Sequence, residues 1–418
     1  MTTQAPVLAR ELADDLERQV AHWLAAARLM LDAEQFAAAS AWAAVETQVG
    51  LPLRRTLSTT VKALVATGDR TAALVREARK DPSAVGAAAE AVQRFRRLYS
   101  QVETTLEYFG DAVNSRTSPD LRVALQTLDA LAAASMSPVL SAAGLPVPPI
   151  LTYVDKGMGA SILRAGVRLW APGTVNPVAA VKVVRHNLYR PTSLFHESGH
   201  QVASLTGWVP SLAQRLSTTL EHDPSLRAMW IPWASEIVAD VHAFAHTGFA
   251  AVSALYDVVG DVRTILSWPV GDPHPVGWLR TLLGTAMCRQ SFGSGPWDAM
   301  EEAMVAAHPL TRADPSVAQL LSRSRNEMPR IAAACLAAPI PKMGGRPVSA
   351  VIDPNQVSPT ALATLERTGG PALWTSAHYR SREGIRLVAL AGLREAERPD
   401  RAAEWIDRAR KWMTSAAA

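Results

Sequence analysis

The chain has 418 residues, 48% hydrophobic and 19% charged, enough apolar content for the cores of two or three domains, which excludes intrinsic disorder as its overall state. Its net charge of +4 is dispersed among interleaved acids and bases. No basic stripe is left for a phosphate backbone, so nucleic acid is not an expected partner.

At the start of the chain Glu11, Asp14, Asp15 and Glu17 stand where a secretory signal would need an apolar run. No stretch reaches about 18 uncharged apolar residues, so neither a standard export signal nor an integral membrane segment is expected. From Leu8 to about Ala143 apolar residues recur at spacings of three and four, as in Leu8, Leu12, Leu16, Val20, Trp23 and Leu24. That periodicity predicts a bundle of about four amphipathic helices over residues 1–146. Breaks are expected at Gly50–Pro52, at Asp81-Pro82 and at Ser118-Pro119, where Ser118 suits a cap and Pro119 a first helical position. The stiff segment Gly144–Pro149 ends the pattern, after which Ile150–Val154, Gly166–Trp170 and Ala179–Val184 read as short strands of a small sheet.

Helical spacing resumes near Thr192 and continues through Pro224–Gly260 and Pro275–Phe292. Six of the 12 tryptophans fall between Trp208 and Trp297, where their large area favours core positions. A helix is predicted near Pro315–Ala338, followed by a Pro- and Gly-rich loop over 339–359, too long for a simple connection and read as a lid or a strap. The last segment is amphipathic and helical around Leu387, Leu390, Leu393, Trp405 and Trp412. The fold class is therefore mainly α, with a helical bundle at 1–146, an α+β core with a small sheet at 147–310 and a helical C-terminal region at 311–418. Cys288 and Cys335 are too few for a disulfide framework and suit a reducing, cytoplasmic setting.

Chemistry concentrates in Ser193-Leu-Phe-His196-Glu197-Ser-Gly-His200, an H-E-x-x-H pattern in a helical segment. Histidines at i and i+4 share a helix face, where both imidazoles reach one Zn²⁺ while the adjacent glutamate points at the open coordination position. This composition yields about 0.01 chance occurrences of the pattern. The metzincin continuation fails, because Ala203 and Thr206 stand where it needs Gly and His. Downstream, Trp233-Ala-Ser-Glu236-Ile-Val-Ala-Asp240-Val-His242 sets Glu236 and Asp240 one turn apart on a second helix with apolar flanks.

In these motifs the sequence resembles the gluzincins, the thermolysin-like zinc peptidases, whose second helix carries E-x-x-x-D. The resemblance covers roughly residues 150–290 and implies a zincin-like catalytic core. It implies Zn²⁺ on His196, His200 and Glu236, with Glu197 as general base and Asp240 hydrogen-bonded to a ligand histidine. The bland alternative for Glu236 and Asp240 is a solvated helix face. Asp272-Pro-His274-Pro-Val-Gly-Trp-Leu-Arg280 is similar to the H-P-x-x-x-x-R segment of the gluzincin branch that contains the CAAX proteases, although this chain lacks that branch's transmembrane helices. By that likeness His274 donates to the developing oxyanion and Arg280 pairs with carboxylates or substrate; otherwise His274 is a turn residue and Arg280 a surface cation.

Other polar groups stay open at this level. Glu221, with His222 and Asp223, looks like a helix-start cluster and is a reserve third ligand. His242 and His246 form a second i, i+4 pair, turned well away from Glu236. His186, Tyr189 and Arg190 precede the motif helix and are candidates for substrate contact, and Ala179–Val184 is a candidate edge strand for an extended peptide. The function implied is a zinc metallopeptidase acting on a peptide or protein substrate. The competing readings are a helical interaction protein with a structural or vestigial zinc site, and a toxin or effector protease held inactive by its helical flanks, which could also bind a protein partner.

Overall fold

In the computed structural model of the chain, residues 4–269 and 271–415 are described, and among them the protein is mainly helical with one small sheet. Residues 1–3, 270 and 416–418, which the predicted regions include, lie outside the described residues. The chain forms two units, Met1–Arg122 with Leu163–Ala180, and Val123–Ile162 with Val181–Ala418.

The first unit is built on helices α1 (Gln4–Leu29), α2 (Ala39–Val45), α3 (Leu51–Ala78) and α4 (Val85–Asn114). The three- and four-residue spacing places Leu16, Val20 and Leu24 of α1 against Leu57, Val61 and Leu64 of α3 and Val92 and Phe95 of α4 in one apolar core. Gly68 lets these helices close, since a Cβ there would lie 2.6 Å from the Phe95 ring and 2.7 Å from Leu24. The predicted break at Gly50–Pro52 does not occur. The chain makes a π-helical turn over Glu46–Gly50 and runs on into α3, with Pro52 in the first turn, where its missing N–H leaves no bond unmade.

Helix α5 (Pro119–Ala142) starts at the predicted proline. It is long and apolar enough to cross a membrane by composition alone, yet 56% of its apolar window is buried in the protein, as in a core helix. Within it, buried Asp129 accepts the Thr152 backbone N–H and hydroxyl at 2.8 Å each, tying α5 to strand β1 (Ile150–Val154). Strands β2 (Ser161–Leu163) and β3 (Ala179–Val183) complete a sheet in the order β1-β3-β2. The strand predicted at Gly166–Trp170 is replaced by an irregular turn. Gly166 and Gly173 both take left-handed φ angles, 85° and 75°, and only a single bridge, Arg168 to Val175, forms between them. β3 is the central strand, which corrects its reading as an edge: β1 and β2 hold the edges.

The remaining helices of the second unit are α6 (Thr192–Thr206), α7 (Trp208–Thr219), α8 (Pro224–Trp230), α9 (Ala234–Thr247), α10 (Phe249–Val259), α11 (Gly277–Phe292), α12 (Pro296–Ala307), α13 (Pro315–Leu336), α14 (Pro359–Gly369), α15 (Ala372–Thr375), α16 (Ala377–Glu397) and α17 (Ala402–Thr414). Trp208, Trp230, Trp233, Trp278 and Trp297 are fully buried among them. Loop 339–359 is a strap of short 3₁₀ turns: the Ser211 hydroxyl donates to Pro339 O at 2.7 Å, and Val357 packs at Gly248 beyond the end of α9.

Candidate metal centre

Helix α6 ends where Gly207 takes a left-handed φ of 74° and its N–H bonds Ala203 O, so the motif occupies the middle of a regular helix. Crossing it is α9, the second motif helix. At Gly199, between the two motif histidines, an added Cβ would sit 2.9 Å from Ala239 Cα and 2.9 Å from His242 Cβ. Only glycine allows the two backbones this near. The close crossing carries His196 and His200 to Glu236 in the first turn of α9.

The three donors meet at one point. His196 Nε2 and His200 Nε2 are 3.1 Å apart, and Glu236 oxygens lie 3.4 Å from the first and 3.3 Å from the second. Ligands about 2.0–2.1 Å from one tetrahedral ion stand about 3.3 Å from each other, so these spacings fit a single small metal ion. The cluster is the group of histidine and acidic side chains among the described residues that could hold one.

Around it runs a second layer of bonds. His196 Nδ1 lies 2.8 Å from Asp240 Oδ1, which fixes the tautomer that turns the Nε2 lone pair toward Glu236 and His200. Asp240 is itself gripped by Arg280 through a fork, Nε to Oδ2 at 2.6 Å and an Nη to Oδ1 at 2.8 Å, and the same guanidinium reaches Glu236 at 3.3 Å. Burial alone would raise the Glu236 carboxyl, but hydrogen bonds from both histidines and the Arg280 charge outweigh it and hold the group well below the usual carboxylate range. Burial would likewise lower His196, whereas Asp240 and Glu236 raise it to about 9.

Glu197 differs from its neighbours. It is 7% exposed, and among the described residues it makes no hydrogen bond or ion pair. Burial, only partly offset by the nearby histidines, raises its carboxyl above the ordinary value. It faces a cavity of about 510 Å³ that also opens onto His196, Glu236 and Arg280. His274 stands at the rim, half exposed, with Nδ1 2.7 Å from Asp272 and Nε2 3.8 Å from Glu236.

The structure therefore brings His196, Glu197, His200, Glu236, Asp240, His274 and Arg280 to one place, and the solvated-face alternative for Glu236 and Asp240 does not describe them. Glu221 is exposed and outside the cluster, while its neighbour Asp223 caps α8 through the N–H groups of Ser225 and Leu226. His242 and His246 form no metal group. They are buried and bond main-chain oxygens, His242 to Phe195 O at 2.9 Å and His246 to Ser135 O at 2.8 Å. Arg190 is turned to Asp257 and Glu395, and neither His186 nor Tyr189 lines the cavity. Nor does any residue of the 339–359 strap.

Sequence reasoning missed Asn187, which is 7% exposed, lines the cavity and has a side chain without a hydrogen bond to any described residue. It also missed the apolar wall supplied by α10. No protein-family model, curated protein or solved structure matches the chain.

Proposed function

We propose that the chain is a zinc metallopeptidase, in which His196, His200 and Glu236 hold Zn²⁺ and Glu197 is the general base. One observation carries this reading: a helix that supplies two converging imidazoles also supplies a buried carboxylate with no protein partner, facing the same cavity. Zinc held there would polarise the scissile carbonyl and lower the pKa of a water toward about 7.

The chain's own groups fit the remaining tasks. Glu197, made more basic by burial, is placed to take the proton of the attacking water and to pass it to the amine nitrogen as the C–N bond breaks, so that one water and one amide give an acid and an amine. Asp240 holds His196 in its binding tautomer, and Arg280 keeps Asp240 in position. Asp272, accepting from His274 Nδ1, turns the other ring nitrogen toward the cluster, where the doubly protonated ring would donate to the oxygen that gains charge. The gluzincin resemblance supports the same assignment, and the small sheet ahead of α6 is in keeping with a zincin-like core. A purely structural zinc pin has no use for an uncommitted carboxylate beside a cavity.

The test is cleavage of a broad peptide library by the zinc-loaded protein, read as new amino termini by mass spectrometry. Wild type should cleave, and Glu197→Gln should retain zinc and fold but lose at least about 10²-fold in turnover. Full activity in zinc-loaded Glu197→Gln would remove Glu197 from the mechanism; a wild type that cleaves nothing would remove the peptidase reading.

A further inference from the structure

The cavity beside the cluster is lined along three helices. α9 and α11 touch at two places, where Arg280 bridges to Asp240 and where Phe292 packs against Phe244 with ring centroids 5.7 Å apart. Lining residues extend from Glu236 to Phe244 on α9 and from Arg280 to Met287 on α11. At about 1.5 Å rise per residue these spans are roughly 12 Å and 10 Å.

α10 closes the third side in the opposite sense. A Cβ on Gly277 would lie 3.0 Å from Val259 O, and one on Gly284 would lie 2.7 Å from Val252. Val258 and Val259 therefore stand beside the first turn of α11, Leu255 about level with Arg280, and Ala251 beyond it, level with Gly284 and Thr285. Ala251, Leu255 and Val258 recur at helical spacing and remain partly accessible although wholly apolar. Ahead of α6 the cavity wall carries Asn187, whose side chain makes no hydrogen bond to a described residue. Asn187 is neutral, and the charged groups nearby are mostly acidic, with Arg280 committed to Asp240 and Glu236. That setting suits a neutral amide and disfavours a free carboxylate.

We infer that the substrate is a peptide amide whose residue beside the scissile bond carries a straight apolar chain of about eight carbons, with Asn187 binding the amide and the α9–α10–α11 channel taking the chain. This rests on the metallopeptidase reading above and narrows its substrate class. A single amino-acid side chain is too short for the channel: at about 1.3 Å advance per carbon, set by C–C bonds near 1.5 Å, roughly eight carbons span its 10 Å. The volume agrees, since about 150 Å³ suffices for benzene in an apolar cavity and this one has about 510 Å³. Burying each methylene should multiply affinity about fourfold.

The experiment is a titration of the zinc-loaded full chain with straight-chain hydroxamates from acetohydroxamate to dodecanohydroxamate, by calorimetry. Affinity should rise about fourfold per carbon and level off near octanohydroxamate. Ala251→Phe, or the milder Ala251→Leu, should bring the plateau to a shorter chain with acetohydroxamate binding and zinc content unchanged. Asn187→Ala should weaken every member by a similar factor. A flat series, a plateau by butanohydroxamate, or octanohydroxamate affinity indifferent to filling at Ala251 would overturn the inference. Octanamide added to the metal-stripped protein separates the two claims. Its binding to a protein that never takes up zinc upholds the channel and sinks the hydrolase, whereas zinc and acetohydroxamate binding with a flat series sinks the channel alone.

Discussion

Glu236 and Glu221 carry the same side chain, and their surroundings separate them: one lies between two imidazoles and a guanidinium, the other in solvent. Glu236→Gln should therefore weaken zinc retention in a chelator competition at least tenfold, and Glu221→Gln should leave it unchanged; equal losses would show that the ligand assignment is wrong. Asp240→Asn should lower zinc affinity by about 10–100-fold through loss of the bond that orients His196. His274 is half exposed and 3.8 Å from Glu236. If it donates to the oxygen that gains charge, His274→Ala should lower kcat about 10²-fold with KM and zinc content little changed. A variant with wild-type kcat would reduce the Asp272–His274 pair to a loop contact.

At the scale of the element, the crossing of α6 and α9 decides whether the donors meet. Gly199→Ala places a methyl 2.9 Å from the α9 backbone, and forcing the helices apart should cost about 1–3 kcal/mol of stability and weaken zinc binding together. An alanine variant with the native denaturation midpoint and zinc affinity would show that the crossing has slack. His242 and His246 brace the same crossing from behind. Burial pushes them down to about 4 and about 3, the carbonyl oxygens beside them only partly opposing it. Unfolded histidine titrates near 6.5, so the unfolded chain binds these protons first. Their contribution to stability is full above about pH 6.5 and is lost as pH falls toward 4, by up to two protons' worth of slope. Denaturant midpoints between pH 7 and 4.5 should show that fall, and His246→Gln should reduce the slope by about one proton; an unchanged slope would place the acid sensitivity elsewhere.

Across the whole molecule, what the sequence revealed was what periodicity and local chemistry encode. H-E-x-x-H and E-x-x-x-D each lie within one helix, so their shared faces followed from a 3.6-residue repeat, and the strands at Ile150 and Ala179 followed from short β-branched runs. Gly166–Trp170 misled because its apolar residues look like a strand while two left-handed glycines bend the chain. The cavity was not legible, since Ala251, Leu255 and Val258 look like any buried helix stripe until α9 and α11 are seen to leave space beside them. Asn187 escaped for a similar reason, being one asparagine in a loop, and only its lack of a partner distinguishes it. The claim on which all else depends is that His196, His200 and Glu236 hold zinc, and elemental analysis of the purified full chain tests it most directly. The account predicts about one zinc per chain, falling to near zero in both His196→Ala and His200→Ala. A wild-type protein offered zinc that retains none, or histidine variants that retain it fully, would contradict it.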